Sequence, residues 1–167
     1  METGIEVRRT LGRGEGVFTL KAFEPGDTVM VGVLESTGIT NHSHASQIGK
    51  NKFGFHSGLS SKLNHSCDPN CGIQLNASGG HNFVAMRNMP MGEEATYDYA
   101  MRNFTIEHFP ENCSCGQGIC RGSITGWKDL PEARKNAYQG FAAPYLIEMD
   151  RNSERDKPQR PGFLGHV

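Results

Sequence analysis

Three cysteines crowd into the run CSCGQGIC, at Cys113, Cys115 and Cys120. A C-x-C-x4-C segment supplies three thiolates, one fewer than a closed tetrahedral zinc site requires. If the cluster holds a metal, a remote part of the chain must fold back onto it, and few folds permit that. The two other cysteines, Cys67 and Cys71, both lie in KLNHSCDPNCG, residues 62–72. Either could provide the fourth sulfur, and His65 is a rival nitrogen ligand. Asp68-Pro69-Asn70 alone would read as an ordinary turn, but two cysteines and a histidine beside it do not fit that reading. The odd total of 5 cysteines and the lack of a signal-peptide pattern in METGIEVRRT argue for metal chemistry over a disulfide framework. The expected setting is reducing and intracellular: cytoplasmic, or nuclear if the host is a eukaryote.

The rest of the chain reads as mostly β. Short apolar runs recur at IEV, GVFTL, TVMVGVL, KFGF, CGIQL, NFVAM and EATYDY, each bounded by Gly, Pro, Asn or Ser, the pattern of short strands in a mostly antiparallel, multi-sheet domain. Two turns look alike, KAFEPGDTV at 21–29 and RNMPMGEEA at 87–95. Each is expected to close a hairpin, with Gly26 and Gly92 at positive φ. The polar stretch 36–52 reads as a long surface loop. After the cysteine cluster the pattern turns helical. KDLPEARKNAYQG offers Asp129 as N-cap, Pro131 in the first turn, Glu132 for a capping box and Gly140 as a stop, and a shorter helix starts at Pro144. From Arg151 onward too little apolar surface remains to offset ordering entropy, so 151–167 reads as a disordered tail.

At 167 residues the chain suits one domain. Its net charge of −1, from 17 basic and 18 acidic residues, offers no footprint for direct nucleic-acid binding, and no apolar run approaches the ~18 residues of a membrane span.

Four motifs, GRGEGVF (12–18), LNHSCDPN (63–70), GEEATYDY (92–99) and CSCGQGICRG (113–122), stand in the order found in SET-domain lysine methyltransferases with a post-SET zinc segment. The resemblance covers about residues 5–125, and the helical end is similar to that of small, stand-alone members. It implies a β-fold of several small sheets with a pseudoknot over 1–112, a zinc segment at 113–125 and a helical segment at 126–150. S-adenosylmethionine is the implied cofactor. Arg13, Gly14, Glu15 and Gly16 would lay their backbone against it, and Asn64 and His65 would hold its amino acid end and adenine edge. Cys67 would join Cys113, Cys115 and Cys120 around Zn2+, leaving Cys71 packed.

The implied reaction is transfer of a methyl group from a sulfonium to an amine, which depends chiefly on positioning and electrostatics. Tyr97 and Tyr99, two apart on an expected strand, would share a face, with Asp98 pointing away. By family position Tyr99 is the catalytic tyrosine. Tyr97 stands where the family has Phe or Tyr, and a Tyr there resembles enzymes that stop at monomethylation. A lysine acceptor must lose its proton, which an apolar channel promotes; Phe53, Phe55, Tyr97 and Trp127 are expected near that channel or the adenine, with packing under the terminal helix an equal alternative for Trp127. The stretch before NHSC is short and polar, and Ser61-Lys62 replaces the arginine usual there. The expected partner is therefore a protein or peptide lysine, with histone less favoured. A small-molecule amine and a non-catalytic binding module are the alternatives.

Overall fold

The computed structural model describes residues 4–40, 45–107 and 112–155. Its strands are β1 (Ile5–Arg9), β2 (Glu15–Thr19), β3 (Thr28–Val31), β4 (Leu34–Gly38), β5 (Ser46–Gly49), β6 (Lys52–His56), β7 (Asn64–His65), β8 (Cys71–Leu75), β9 (His81–Ala85) and β10 (Glu94–Tyr97), and its α-helices are α1 (Glu132–Ala137) and α2 (Pro144–Arg155). The larger sheet runs in the order β1-β2-β10-β8-β9-β3, with β7 paired to β10, and the smaller in the order β4-β6-β5. The mostly β, several-sheet reading holds.

Alternation explains which strands are central. Ile73, Phe83, Ala85, Ala95 and Val17 are fully buried, so β8, β9, β10 and β2 each turn an apolar face inward. The helices cover that face with Tyr138 and Leu146, also buried, and the chain before α2 is fixed by Ile73 N–H donating to Phe141 O at 2.7 Å and Ala143 N–H to Met101 O at 2.8 Å.

Several local expectations are corrected. Gly26 and Gly92 do have φ of +95° and +87°, but neither turn closes a hairpin. The strands they join, β2 with β3 and β9 with β10, pair elsewhere. Instead the two similar turns pair with each other, Phe23 and Met89 exchanging both backbone hydrogen bonds at 2.9 Å. TVMVGVL is two strands, not one: the chain leaves β3 at Gly32, where an added Cβ would collide with His81 O. The described residues of the polar stretch 36–52 are mostly sheet, since β4 and β5 both pair with β6. Residues 41–44 of it lie outside the described residues.

At the helical end Asp129 does not cap α1. Leu130 is extended, as expected of a residue before proline, and Pro131 takes the N-cap position without a side-chain hydrogen bond. Gly140 has the positive φ expected of a stop, +80°. α2 begins at Pro144 and continues to Arg155, five residues beyond the expected start of the polar tail. Residues 156–167 lie outside the described residues.

Candidate active site and metal centre

The site forms where β10 ends. β7 runs parallel to it, with Thr96 opposite Asn64 and Tyr97 opposite His65, and β8 starts parallel to it with Cys71 opposite Tyr97. The turn between β7 and β8 carries Cys67 to the segment that follows β10.

There the four sulfurs of Cys67, Cys113, Cys115 and Cys120 lie within 4.8 Å of one another, and those of Cys67 and Cys113 are 3.9 Å apart. Bonds of 2.3 Å around tetrahedral zinc place sulfurs about 3.8 Å apart, so the donor set fits the ion. Backbone N–H groups already point at two sulfurs, Arg121 at Cys67 and Gly122 at Cys120, both 3.4 Å away. Burial holds the Cys67 thiol up at about 11. At Cys115 burial works in the same direction but is outweighed by donors including the Cys67 and Gln117 N–H groups, which bring it to about 7. Such a thiol is ready to ligate near neutral pH. Cys71 lies apart from the cluster, fully buried beside Met89, with its thiol pushed up to about 12 by burial.

The ring of His65 joins this centre to the tyrosines. Burial lowers its pKa to about 4, so it is neutral. Its Nδ1 accepts from the Tyr99 N–H at 3.3 Å, which assigns the ring proton to Nε2, 3.4 Å from Cys67 Sγ. His65 is thus neither a fourth ligand nor a ring free for a cofactor: both nitrogens are engaged, and only its backbone remains for such contact.

Tyr97 ends β10, but Tyr99 begins a 3-10 turn, Tyr99–Met101, and so is not on the expected strand. The rings nevertheless meet, centroids 5.0 Å apart and tilted by 45°. Burial raises both phenol pKa values, so both hydroxyls stay protonated, and that of Tyr99 donates to Leu63 O at 3.0 Å. Asp98 points away as expected. It is fully buried and accepts from Arg121 Nη1 and Nη2 at 2.6 and 3.0 Å, from the Tyr138 hydroxyl at 3.0 Å and from the Ala100 N–H at 3.1 Å.

The glycine loop is pinned against the same strands. Thr10 N–H donates to Gly14 O at 2.8 Å, closing a turn in which Gly12 and Gly14 have φ near +80° and +75°. Asn64 Nδ2 donates to Glu15 O at 2.9 Å and Glu94 Oε1 at 2.8 Å, while Arg13 pairs with Glu94 Oε2 at 2.6 Å. A polar cavity of about 170 Å³ opens here, bounded by Arg13, Glu94, Thr96, Ser66 and Cys115 among others. The structure brings Arg13, Gly14, Glu15, Gly16, Asn64 and His65 together around β10. It places Trp127 elsewhere, under α2, with its indole N–H donating to Asp150 at 3.3 Å; the packing alternative describes it. Phe53 and Phe55 are half-buried on β6, whereas Phe83 packs on Tyr97 edge to face, 5.0 Å away.

Glu94, Arg121, Phe83 and Arg102 were not singled out from the sequence. Glu94 stands inside a quoted motif and Arg121 directly follows the last cysteine, so their positions were signals. Phe83 and Arg102 carried none.

The model of the SET domain family matches residues 14–100, more than half of the chain, so this chain belongs to that family. It is 36% identical over 97 residues to Histone-lysine N-methyltransferase SETD2 of Homo sapiens, covering 56% of this chain and 3% of that protein. Among solved structures it resembles the methyltransferase domain of human Histone-lysine N-methyltransferase SETMAR, with a TM-score of 0.58 and 18% identity over 73% of this chain and 58% of that one. It also resembles KRYPTONITE in complex with mCHG DNA and SAH, with a TM-score of 0.58 and 22% identity over 72% of this chain and 28% of that one. The chain spans only a few per cent of the length of the first curated relatives it matches. No helix among the described residues is long and apolar enough to cross a membrane.

Proposed function

We propose that this chain is an S-adenosylmethionine-dependent methyltransferase acting on a lysine side chain of a protein or peptide. The observation that carries the reading is the meeting of two buried phenols, Tyr97 and Tyr99, with the Arg13–Glu94–Asn64 network and a four-sulfur cluster around one strand end. Membership of the SET family and similarity to proteins named histone-lysine N-methyltransferases support it. Arg13 and Glu94 present opposite charges beside the cavity, complementary to the carboxylate and ammonium of an amino acid end. When bound, S-adenosylmethionine supplies an electrophilic methyl group on a sulfonium. The glycine loop and Asn64 hold and orient that donor. Tyr99, fixed through its N–H to His65 and its hydroxyl to Leu63, orients the amine, and the buried rings favour its uncharged form. Zn2+ at Cys67, Cys113, Cys115 and Cys120 acts structurally, tying 112–122 to the donor site.

Tyr97 limits the product to monomethyl-lysine, since its hydroxyl occupies space a larger amine would need. None of the five cysteines is in a disulfide, in keeping with a reducing intracellular setting, and the balanced charge supports no direct nucleic-acid contact. Radiolabelled donor incubated with cell lysate tests the activity. Labelled protein bands are expected; label confined to small molecules would replace a protein acceptor with an amine metabolite, and no label despite donor binding would make the chain a binding module. Tyr99→Phe should lower the rate by roughly 100-fold with unchanged folding. Tyr97→Phe should shift the products toward di- and trimethyl-lysine by mass spectrometry, and an unchanged product ratio would refute its limiting role.

A further inference from the structure

Arg102 follows the Tyr99–Met101 turn, with its guanidinium carbon 4.9 Å from the Tyr97 ring centroid and 5.9 Å from that of Phe83. A guanidinium stays charged at any working pH. Among the described residues no carboxylate forms an ion pair with it, and none hydrogen-bonds its buried Nε and Nη1. Next to it lie two histidines with stacked rings, centroids 5.0 Å apart at 21°: His81 on β9, fully buried, and His56 at the end of β6, half-buried. His81 Nδ1 and both ring nitrogens of His56 also lack partners among the described residues. Tyr145 closes the far side, its hydroxyl 3.5 Å from His81 Nε2 and 2.8 Å from Arg102 O.

Among the described residues a guanidinium edge of Arg102 and the imidazole N–H of His56 are left without acceptors, which is costly unless a ligand supplies them. Ordered water would satisfy nitrogens but would leave the charge unbalanced. Arg102 and His56 are only partly buried, so the cluster reaches the surface, and Arg102 adjoins the ring of Tyr97.

We propose that Arg102, His56 and His81 form an anion-binding pocket beside the transfer site, which holds a carboxylate carried by the methyl acceptor. The carboxylate belongs to an acidic side chain near the target lysine or to a small amino acid-like amine, and its assignment to the acceptor rests on the methyltransferase reading above. A single negative charge matches a single guanidinium. A dianionic phosphate would require a histidine to be protonated as well, which burial and Arg102 both oppose: His56 is lowered to about 4 and His81 well below its ordinary value.

The test has two arms. In the first, the imidazole signals of His56 and His81 are followed by NMR as sodium acetate, inorganic phosphate or chloride is added at constant ionic strength. At pH 8.5, where inorganic phosphate is the dianion, acetate should move both signals saturably on a millimolar scale, phosphate and chloride should not, and Arg102→Gln should weaken the acetate response at least tenfold. If that variant misfolds by circular dichroism, His56→Gln, which keeps the guanidinium, should weaken it several-fold. An absent acetate response in the unaltered protein, or an unchanged one in the folded variant, overturns the pocket; an equal response to phosphate overturns its carboxylate character. The second arm compares methyl transfer to paired peptides with Glu or Gln beside the lysine, and to lysine against cadaverine. A tenfold preference for the carboxylate-bearing member of either pair, lost in Arg102→Gln, identifies its source. Acetate binding without either preference overturns the assignment to the acceptor. No transfer to any acceptor would count against the methyltransferase reading, while the first arm still decides the pocket.

Discussion

Replacing Arg121 with Met should destabilise the domain by about 3 kcal/mol. Its guanidinium donates twice to Asp98, at 2.6 and 3.0 Å, with side chains 15% and 0% exposed. Removing one partner of such a buried pair leaves the other as an uncompensated charge, typically a loss of 3–5 kcal/mol. The lower end applies because Asp98 keeps the Tyr138 hydroxyl and the Ala100 N–H. For a domain of this size, with a urea dependence of roughly 2 kcal/mol per M, the unfolding midpoint should fall by about 1.5 M. Trp127 is the single tryptophan and is buried, so its fluorescence reports the transition, read with zinc in excess so that metal loss is not mixed into it. Asp98→Asn completes a double-mutant cycle in which the pair should show a coupling of about 2 kcal/mol. Zinc affinity should also drop by about 10-fold, because the side-chain pair with Asp98 holds in place the backbone N–H of residue 121, which Met keeps and which donates to Cys67 Sγ. A stability loss under about 1 kcal/mol, or additive single variants, would refute the claim that this pair ties the zinc segment to the tyrosine turn.

Purified protein should carry one zinc per chain, and after cobalt replacement Cys67→Ser should weaken the tetrahedral-thiolate absorption whereas Cys71→Ser should leave it unchanged. Stability should fall as pH drops from about 6.5 toward about 4. Above that window His56 and His81 are neutral in both states; within it the unfolded chain takes up protons that the folded site, with His56 lowered to about 4 and His81 well below its ordinary value, refuses. Melting temperatures at pH 7 and 5 in a carboxylate-free buffer measure this, and His56→Phe should reduce the slope. Gly16→Ala should cost about 1–3 kcal/mol and loosen donor binding by calorimetry, because a Cβ there would stand 2.5 Å from Glu94 Oε1, 2.8 Å from Thr10 Cγ2 and 3.1 Å from Asn64 Nδ2.

The sulfur cluster was legible because its chemistry is countable: three thiolates demand a fourth, and motif order chose Cys67 over Cys71. The strands at 71–75 and 81–85 were legible from apolar runs bounded by turn residues. What escaped depended on partners far away in sequence. Tyr99 leaves the strand because Asp98 caps the following turn through the Ala100 N–H, and that carboxylate is held by Arg121 and Tyr138, residues no local pattern links to it. KFGF was read as a strand and is β6, but its partners β4 and β5 were hidden because they carry polar residues such as Glu35, Ser36, Thr37 and Gln47, which look like loop. The two similar turns were recognised, but their pairing with each other rather than within hairpins is a property of the sheet order.

Alternation around Asp98 shows how one short segment can serve two centres. Tyr97 and Tyr99 meet on the side of the proposed transfer site, while the residue between them faces Arg121 beside the cysteine cluster and Tyr138 just after α1. His65 repeats the arrangement from β7, its Nδ1 on the Tyr99 N–H and its Nε2 toward Cys67. Two independent ties therefore run from the four-sulfur cluster to Tyr99, one through an imidazole and one through a buried carboxylate. Since the carboxylate tie exists only once Arg121 of 112–122 has reached Asp98, metal binding should help to place the Tyr99 phenol. Chelation should accordingly impair the transfer step as well as stability, although no zinc ligand is placed to touch the amine.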